Sequence, residues 1–155
     1  MIVVSDTTAV TTLLKAGMEG LLSELFENLT VPKAVWDELI AFHSQLPGFV
    51  LLREVGRPDR RLPETASLGR GEAEAITLAK EINADLLLTD DLKARAVAAS
   101  LNVKCTGLLG LLIRAKKRGR IASVREAIGT LERRGGLYLS DAVKAEALRL
   151  AGEIA

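Results

Sequence analysis

The stretch Leu86-Leu87-Leu88-Thr89-Asp90-Asp91 decides how the rest of the chain is read. Its first four residues read as a short strand buried on both faces. Two adjacent carboxylates end it, before a helical run from Leu92 to Ser100. Open α/β sheets carry their chemistry where strands deliver side chains to the carboxyl edge. Acids gathered at such an edge repel each other unless a positive charge stands between them, and a divalent metal is the simplest one.

Outward from that stretch, the same grammar recurs. Met1 to Val4 is a β-branched strand, followed by the polar turn Ser5-Asp6-Thr7-Thr8 and a helix carrying Ala9, Val10, Leu13 and Leu14. A second helical piece spans about Met18 to Phe26. Leu29-Thr30-Val31 is a brief strand, and Pro32 opens a helix from Ala34 to Phe42 with Val35, Leu39 and Phe42 on one face. Phe49 to Leu52 reads as an edge strand, and Arg53 to Arg61 as an exposed loop. Ser67 to Gly71 introduces a helix from Glu72 to about Ile82 with the stripe Ala75, Ile76, Ala79 and Ile82. Val103-Lys104-Cys105 is a further strand, and Leu108 to about Lys117 a further helix. Ser123 to Ala155 reads as two helices separated by Arg134-Gly135-Gly136.

Strands alternating with helices predict a three-layer α/β/α domain on a short, mainly parallel sheet, with a helical C-terminal tail. We divide the chain into a domain over residues 1–120 and an extension over 121–155 that packs on it or on a dimer partner. A chain of 155 residues with 48% hydrophobic and 26% charged residues is long enough for one proper core. Aromatics are only 3%, which leaves little material for stacking platforms on single-stranded bases. The net charge of +1 means that a nucleic-acid partner needs a local basic patch. The single cysteine, Cys105, excludes an internal disulfide, and with the single histidine, His43, it leaves too few ligands for a Cys/His zinc site. No run approaches the roughly 20 apolar residues of a membrane span, and the N-terminus lacks a signal-peptide pattern. The expectation is a cytoplasmic protein without a membrane partner.

The acids with potential chemistry are Asp6, Glu38, Glu72, Asp90 and Asp91. Asp6 and the Asp90–Asp91 pair end strands that, in a parallel sheet, finish on one edge. Glu38 and Glu72 align with the apolar faces of their helices, where an unpartnered carboxylate costs several kcal/mol. Together they would bind Mg²⁺ or Mn²⁺, which favour oxygen ligands, and the metal could orient water against a phosphodiester. Each acid also has a plainer reading. Asp6, Asp90 or Asp91 could cap the helix that follows it. Glu72 and Glu74 could be helix-dipole charges. For Glu74, which falls on a more mixed side of its helix, the plainer reading is preferred.

Four segments resemble the acidic motifs of PIN domains. Ile2-Val3-Val4-Ser5-Asp6-Thr7-Thr8 is similar to their opening, and Val31 to Leu39 to their second motif. Gly69 to Ile76 and Leu88-Thr89-Asp90-Asp91 are similar to the third and fourth. The likeness covers roughly residues 1–120 and extends into the tail for a prokaryotic subgroup of uncharacterised function. It implies a Mg²⁺- or Mn²⁺-dependent ribonuclease, commonly the VapC-like toxin of a toxin–antitoxin pair and often a homodimer. Carried over by position, Asp6, Glu38, Glu72 and Asp90 match the four acids, and Asp91 is an additional acid near the metal. The third acid is Glu where toxins more often have Asp. The Thr-Asp-Asp ending leaves both Asp90 and Asp91 open for the fourth position.

Thr7 could hold a carboxylate or a metal-bound water, or be an ordinary first-turn residue. Arg114, Lys116, Lys117, Arg118 and Arg120 put five cations in seven residues. They read either as phosphate contacts to RNA or as charges suited to a helix C-terminus. Arg53, Arg57, Arg60 and Arg61 admit the same two readings. Two other functions compete with the nuclease. One is a non-catalytic module whose acidic pocket docks a metal or an antitoxin-like partner. The other is a response-regulator-like domain, which fits poorly because Lys104 lies within its strand.

Overall fold

The computed structural model describes residues 1–56 and 62–154. β1 (Val3–Ser5) is followed by α1 (Thr7–Ala16), α2 (Gly20–Phe26), β2 (Leu29–Val31), α3 (Lys33–Phe42) and β3 (Val50–Leu52). A 3-10 turn at Pro63–Thr65 leads into α4 (Arg70–Glu81), β4 (Leu86–Leu88), α5 (Leu92–Ser100), β5 (Cys105–Thr106) and α6 (Leu108–Lys117). α7 (Val124–Arg134) and α8 (Asp141–Leu150) complete the chain.

The five strands are all parallel, in the order β3-β2-β1-β4-β5. The chain starts in the centre, steps outward to β2 and β3, then returns to the other side of β1 and steps outward again. Connections therefore leave β1 and β4 in opposite directions, which opens a crevice between them at the carboxyl edge. Ser5 stands opposite Leu88 in register, so the residues after β1 and β4 emerge side by side.

Side chains alternate between two apolar layers, as the two-residue period of a strand requires. Val3, Leu29, Val31, Val50, Leu86 and Leu88 face a core shared with α1, α2, α6, α7 and α8. Val4 and Leu87 face a smaller core built by α4 and α5. The architecture is the three-layer α/β/α sandwich expected, with every strand a few residues long. Strand boundaries shift slightly: the last strand is Cys105–Thr106, where Val103 to Cys105 was expected. Phe42 is 77% exposed although its spacing puts it with Val35 and Leu39. It is the last residue of α3 and stands beyond the layer that covers the other two. Arg53 is exposed, whereas Arg57, Arg60 and Arg61 lie outside the described residues.

The tail joins the larger core through Val124, Ala127, Ile128, Leu131, Ala147 and Leu148. α7 packs on α1 and α6, and α8 on α6 and α7. Two contacts fix it. A Cβ at Gly135 would stand 2.8 Å from the Leu131 carbonyl oxygen and 2.9 Å from that of Thr12, both backbone atoms that cannot swing away. Gly135→Ala should therefore push α7 off α1 and cost about 1–3 kcal/mol, read as a lower urea midpoint at unchanged slope.

The second contact is Glu153. Its carboxylate accepts from the backbone N–H groups of Val124 (2.6 Å) and Arg125 (3.1 Å) and pairs with Lys116 at 3.0 Å. Burial alone would raise its pKa, but those donors outweigh it and draw it down to about 2. A carboxylate bound more tightly in the folded than the unfolded state stabilises above its unfolded pKa and loses that contribution as pH falls toward the folded one. Glu153→Gln should lower the melting temperature at pH 7 by a few degrees. The gap should close between pH 4.5 and about 2. A gap independent of pH would refute the charge argument.

Candidate active site

Asp6 is built into the sheet's edge. Its backbone N–H donates to the Leu88 carbonyl at 3.0 Å, which ties the end of β1 to the end of β4. Its side chain caps α1 by accepting from the Ala9 N–H at 3.2 Å, in extended backbone geometry. The residue is 5% exposed. Burial pushes its pKa up; hydrogen bonds from the Thr89 hydroxyl and the Ala9 amide pull it back, and the charges of Asp90 and Glu72 raise it again. The balance lies at about 6. A buried carboxylate that feels two further carboxylates belongs to an acidic cluster, a common setting for a perturbed pKa at a functional site.

The other acids arrive from α3, α4 and the connection between β4 and α5. Glu72 stands in the first turn of α4, half-buried, and its Oε2 lies 2.6 Å from where a Cβ on Gly69 would be. Glu38, in the second turn of α3, accepts a hydrogen bond from the Thr7 hydroxyl. Its Oε1 lies 3.0 Å from the place of a Cβ on Gly71. Thr7, the residue after Asp6, thus ties the Glu38 carboxylate to the start of α1. Asp90 is exposed and accepts from the Leu108 N–H at the start of α6, at 3.1 and 3.3 Å. The Asp90 carboxylate fills the space beside Gly107, where a Cβ would meet its Oδ1 at 2.0 Å. Asp91 turns the other way and caps α5 through the Ala94 N–H at 2.8 Å.

Asp90 and Glu72 therefore both act electrostatically on Asp6, Glu38 adjoins it through Thr7, and Asp91 serves its own helix. The donors are all oxygens, which suits Mg²⁺ or Mn²⁺ over softer metals. Among the described residues, no three His, Cys, Asp or Glu side chains stand close enough to grip an ion in their present rotamers. The acids hold backbone and hydroxyl donors instead. Those at Glu38, Glu72 and Asp90 lie beside glycines that leave their carboxylates room. The chemistry of the donor set and the charge excess at Asp6 fit a divalent cation.

A family model for the PIN domain matches residues 2–153. The chain belongs to the PIN-domain family. PIN domains are generally metal-dependent nucleases, and the fold here is of that nuclease type. A solved structure of a PilT N-terminus domain protein from the hyperthermophilic archaeon Sulfolobus solfataricus is similar in fold. It superposes with a TM-score of 0.51 at 20% identity, over 72% of this chain and 90% of that one. No curated protein matches this chain. No helix among the described residues of this PIN domain is long and apolar enough to cross a membrane.

The basic run is not beside the acids. α6 begins at Asp90's hydrogen bond and carries Arg114, Lys116 and Lys117 in its last turn. Lys117 is about 14 Å farther along the axis at 1.5 Å per residue. Arg114 lies over the Phe26 ring at 5.6 Å, and Lys116 is held by Glu153. Two residues that sequence reasoning passed over do border the PIN acids. Thr89 holds the Asp6 carboxylate and accepts from the Asp91 N–H at 3.3 Å. Arg95, in α5, reaches back to the Thr89 carbonyl at 3.4 Å. A threonine directly before the acidic pair was the signal available for the first. The second follows Asp91 by four residues, one helical turn, which puts both on the same face of α5.

Glu74 differs from its expected role. It is 8% exposed, accepts from the Ala34 N–H at 3.0 Å, and pairs with Arg70 at 3.1 Å. The N-cap of α3 is Pro32, which makes no side-chain cap, and Glu74 satisfies that helix end from α4.

Proposed function

We propose that this PIN domain is a Mg²⁺- or Mn²⁺-dependent endoribonuclease that hydrolyses RNA phosphodiester bonds. We assign it as the cytoplasmic toxin of a toxin–antitoxin pair, acting as a homodimer. The observation that carries the nuclease reading is the place of Asp6: it is 5% exposed and tied by its N–H to the Leu88 carbonyl, so that it ends β1 beside the Asp90 that follows β4. Asp6, Glu72 and Asp90 would hold the metal, with Glu38 joining through a rotation of its side chain away from Thr7. A divalent cation bound there supplies Lewis-acid activation of water and charge for the leaving oxygen. Thr89 keeps Asp6 ionised and aimed by donating to it. Thr7 keeps Glu38 at the mouth of the crevice. Asp91 fixes α5 and thereby the direction in which Asp90 points. Arg114, Lys116 and Lys117, at the other end of α6, meet phosphates other than the one being cut.

The decisive assay is cleavage of single-stranded RNA with Mg²⁺ or Mn²⁺, with Asp6→Asn and Asp90→Asn as controls. Metal-dependent cleavage by the parent protein and none by the variants supports the reading. Equal cleavage by all three marks a contaminating nuclease and refutes it. A second reading is a non-catalytic module whose acidic pocket takes a basic antitoxin side chain. Its support is that the acids already act as hydrogen-bond acceptors for amide and hydroxyl donors, as they would for a guanidinium. Lack of cleavage by the isolated protein, with tight binding of a small partner encoded beside it, would favour that reading.

A further inference from the structure

We propose that Arg95 binds the phosphate of the RNA strand that lies across the acidic crevice. The nuclease reading supplies the choice of RNA as ligand. Helical side chains lean toward the N-terminus of their helix, so the Arg95 guanidinium returns over the first turn of α5 to the end of β4. That position is electrostatically poor for a cation, because the helix N-terminus is itself positive. There it makes one long hydrogen bond, to the Thr89 carbonyl at 3.4 Å, and stands near the Asp90 carboxylate without pairing with it. No carboxylate among the described residues forms an ion pair with it.

The guanidinium also comes within 3.1 Å of the place a Cβ on Gly107 would take, beside the Asp90 carboxylate. It borders one end of a groove of ≈ 580 Å³, where Asp90, Thr106 and Gly107 also stand; beyond them the groove is lined mainly by apolar side chains such as Leu109, Leu139 and Val143. A planar fork with unused donors, facing open space next to metal-binding acids, fits a bridging phosphate oxygen pair. The neighbouring acids would otherwise repel the strand, and Arg95 offsets that repulsion where the cut is made. The basic run of α6 is too distant to do so.

The test measures RNA affinity apart from cleavage. A fluorescein-labelled single-stranded RNA dodecamer is titrated by anisotropy against Asp6→Asn protein in Mg²⁺ at several salt concentrations. Arg95→Gln, Arg95→Lys and Lys15→Gln are each added to that background; Lys15 sits in the last turn of α1, away from the crevice. Arg95→Gln should weaken binding roughly 10-fold and reduce the slope of log affinity against log salt by about 0.7. Arg95→Lys should restore the slope but only part of the affinity, and Lys15→Gln should change neither. In the active protein, Arg95→Gln should lower kcat/KM roughly 10- to 100-fold with an unchanged Mn²⁺ midpoint for thermal stabilisation.

Equal affinity and slope with and without Arg95 overturn the proposal. So does a shifted Mn²⁺ midpoint with RNA affinity unchanged, which would make Arg95 a charge balance for the metal acids. Protein that fails to cleave RNA but shows the Arg95-dependent slope refutes the nuclease reading and leaves the phosphate contact standing.

Discussion

Asp6→Asn should make the metal-free protein more stable above pH 6 while abolishing its cleavage of RNA. The ionised Asp6 costs the fold free energy, because its pKa rises from 3.8 to about 6 on folding. A group with a raised folded pKa stabilises in its protonated form. That contribution is complete below the unfolded value and is lost as pH rises through the folded one. Asparagine removes the loss and can still accept from the Ala9 N–H. The expected gain above pH 6 is up to about 3 kcal/mol, equivalent to several degrees in melting temperature for a chain of this length. Below pH 4 the two proteins should melt alike. The measurement is the pH series of melting temperature in EDTA. Mg²⁺ should then raise the melting temperature of the parent and leave the variant unmoved. A variant less stable than the parent at pH 7.5 would mean that Asp6 is retained for the fold and not for a ligand.

Gly107→Ala should remove most activity at small cost in stability. Gly107 sits at φ −105° and ψ −171°, extended backbone that alanine adopts without strain. Its missing Cβ is what admits the Asp90 carboxylate: the added atom would stand 2.0 Å from Oδ1 and 2.9 Å from Cγ. Asp90 must therefore rotate out and give up the Leu108 N–H, a cap worth about 1 kcal/mol. A ligand displaced by an ångström or more can lower the rate on the order of 10²-fold. Steady-state cleavage beside a thermal melt checks both halves. Full activity in Gly107→Ala would exclude Asp90, in its present position, from the reaction.

The layers of this fold could be read in the sequence because local periodicity determines them. Short apolar runs ending in polar turns mark β1, β2 and β4, and their alternation with helices forces a parallel sheet. The place of Asp6 beside the end of β4 was also legible, since parallel strands end on a common edge. What local pattern could not give was the partner of each acid. Glu74 looked like a dipole charge on its own helix, yet it caps α3 across forty residues of sequence because Pro32 offers no cap. Asp90 and Asp91 are adjacent in sequence but serve different helices, α6 and α5. The distance of the α6 basic run from the acids could not be read either, because it depends on the direction in which that helix leaves Asp90. For Arg95 the only signal was its spacing of four residues after Asp91, and the contact with the Thr89 carbonyl that returns it to the crevice is not local in pattern.

The proposed chemistry depends on the acids at the ends of β1 and β4 forming one divalent-metal site. Calorimetric titration of metal-free protein with Mn²⁺ at pH 7.5 tests it most directly, with Asp6→Asn and Asp90→Asn in parallel. Saturable binding by the parent, weakened at least tenfold in each variant, is the predicted result. Binding of equal strength in all three, or none in the parent, would contradict it.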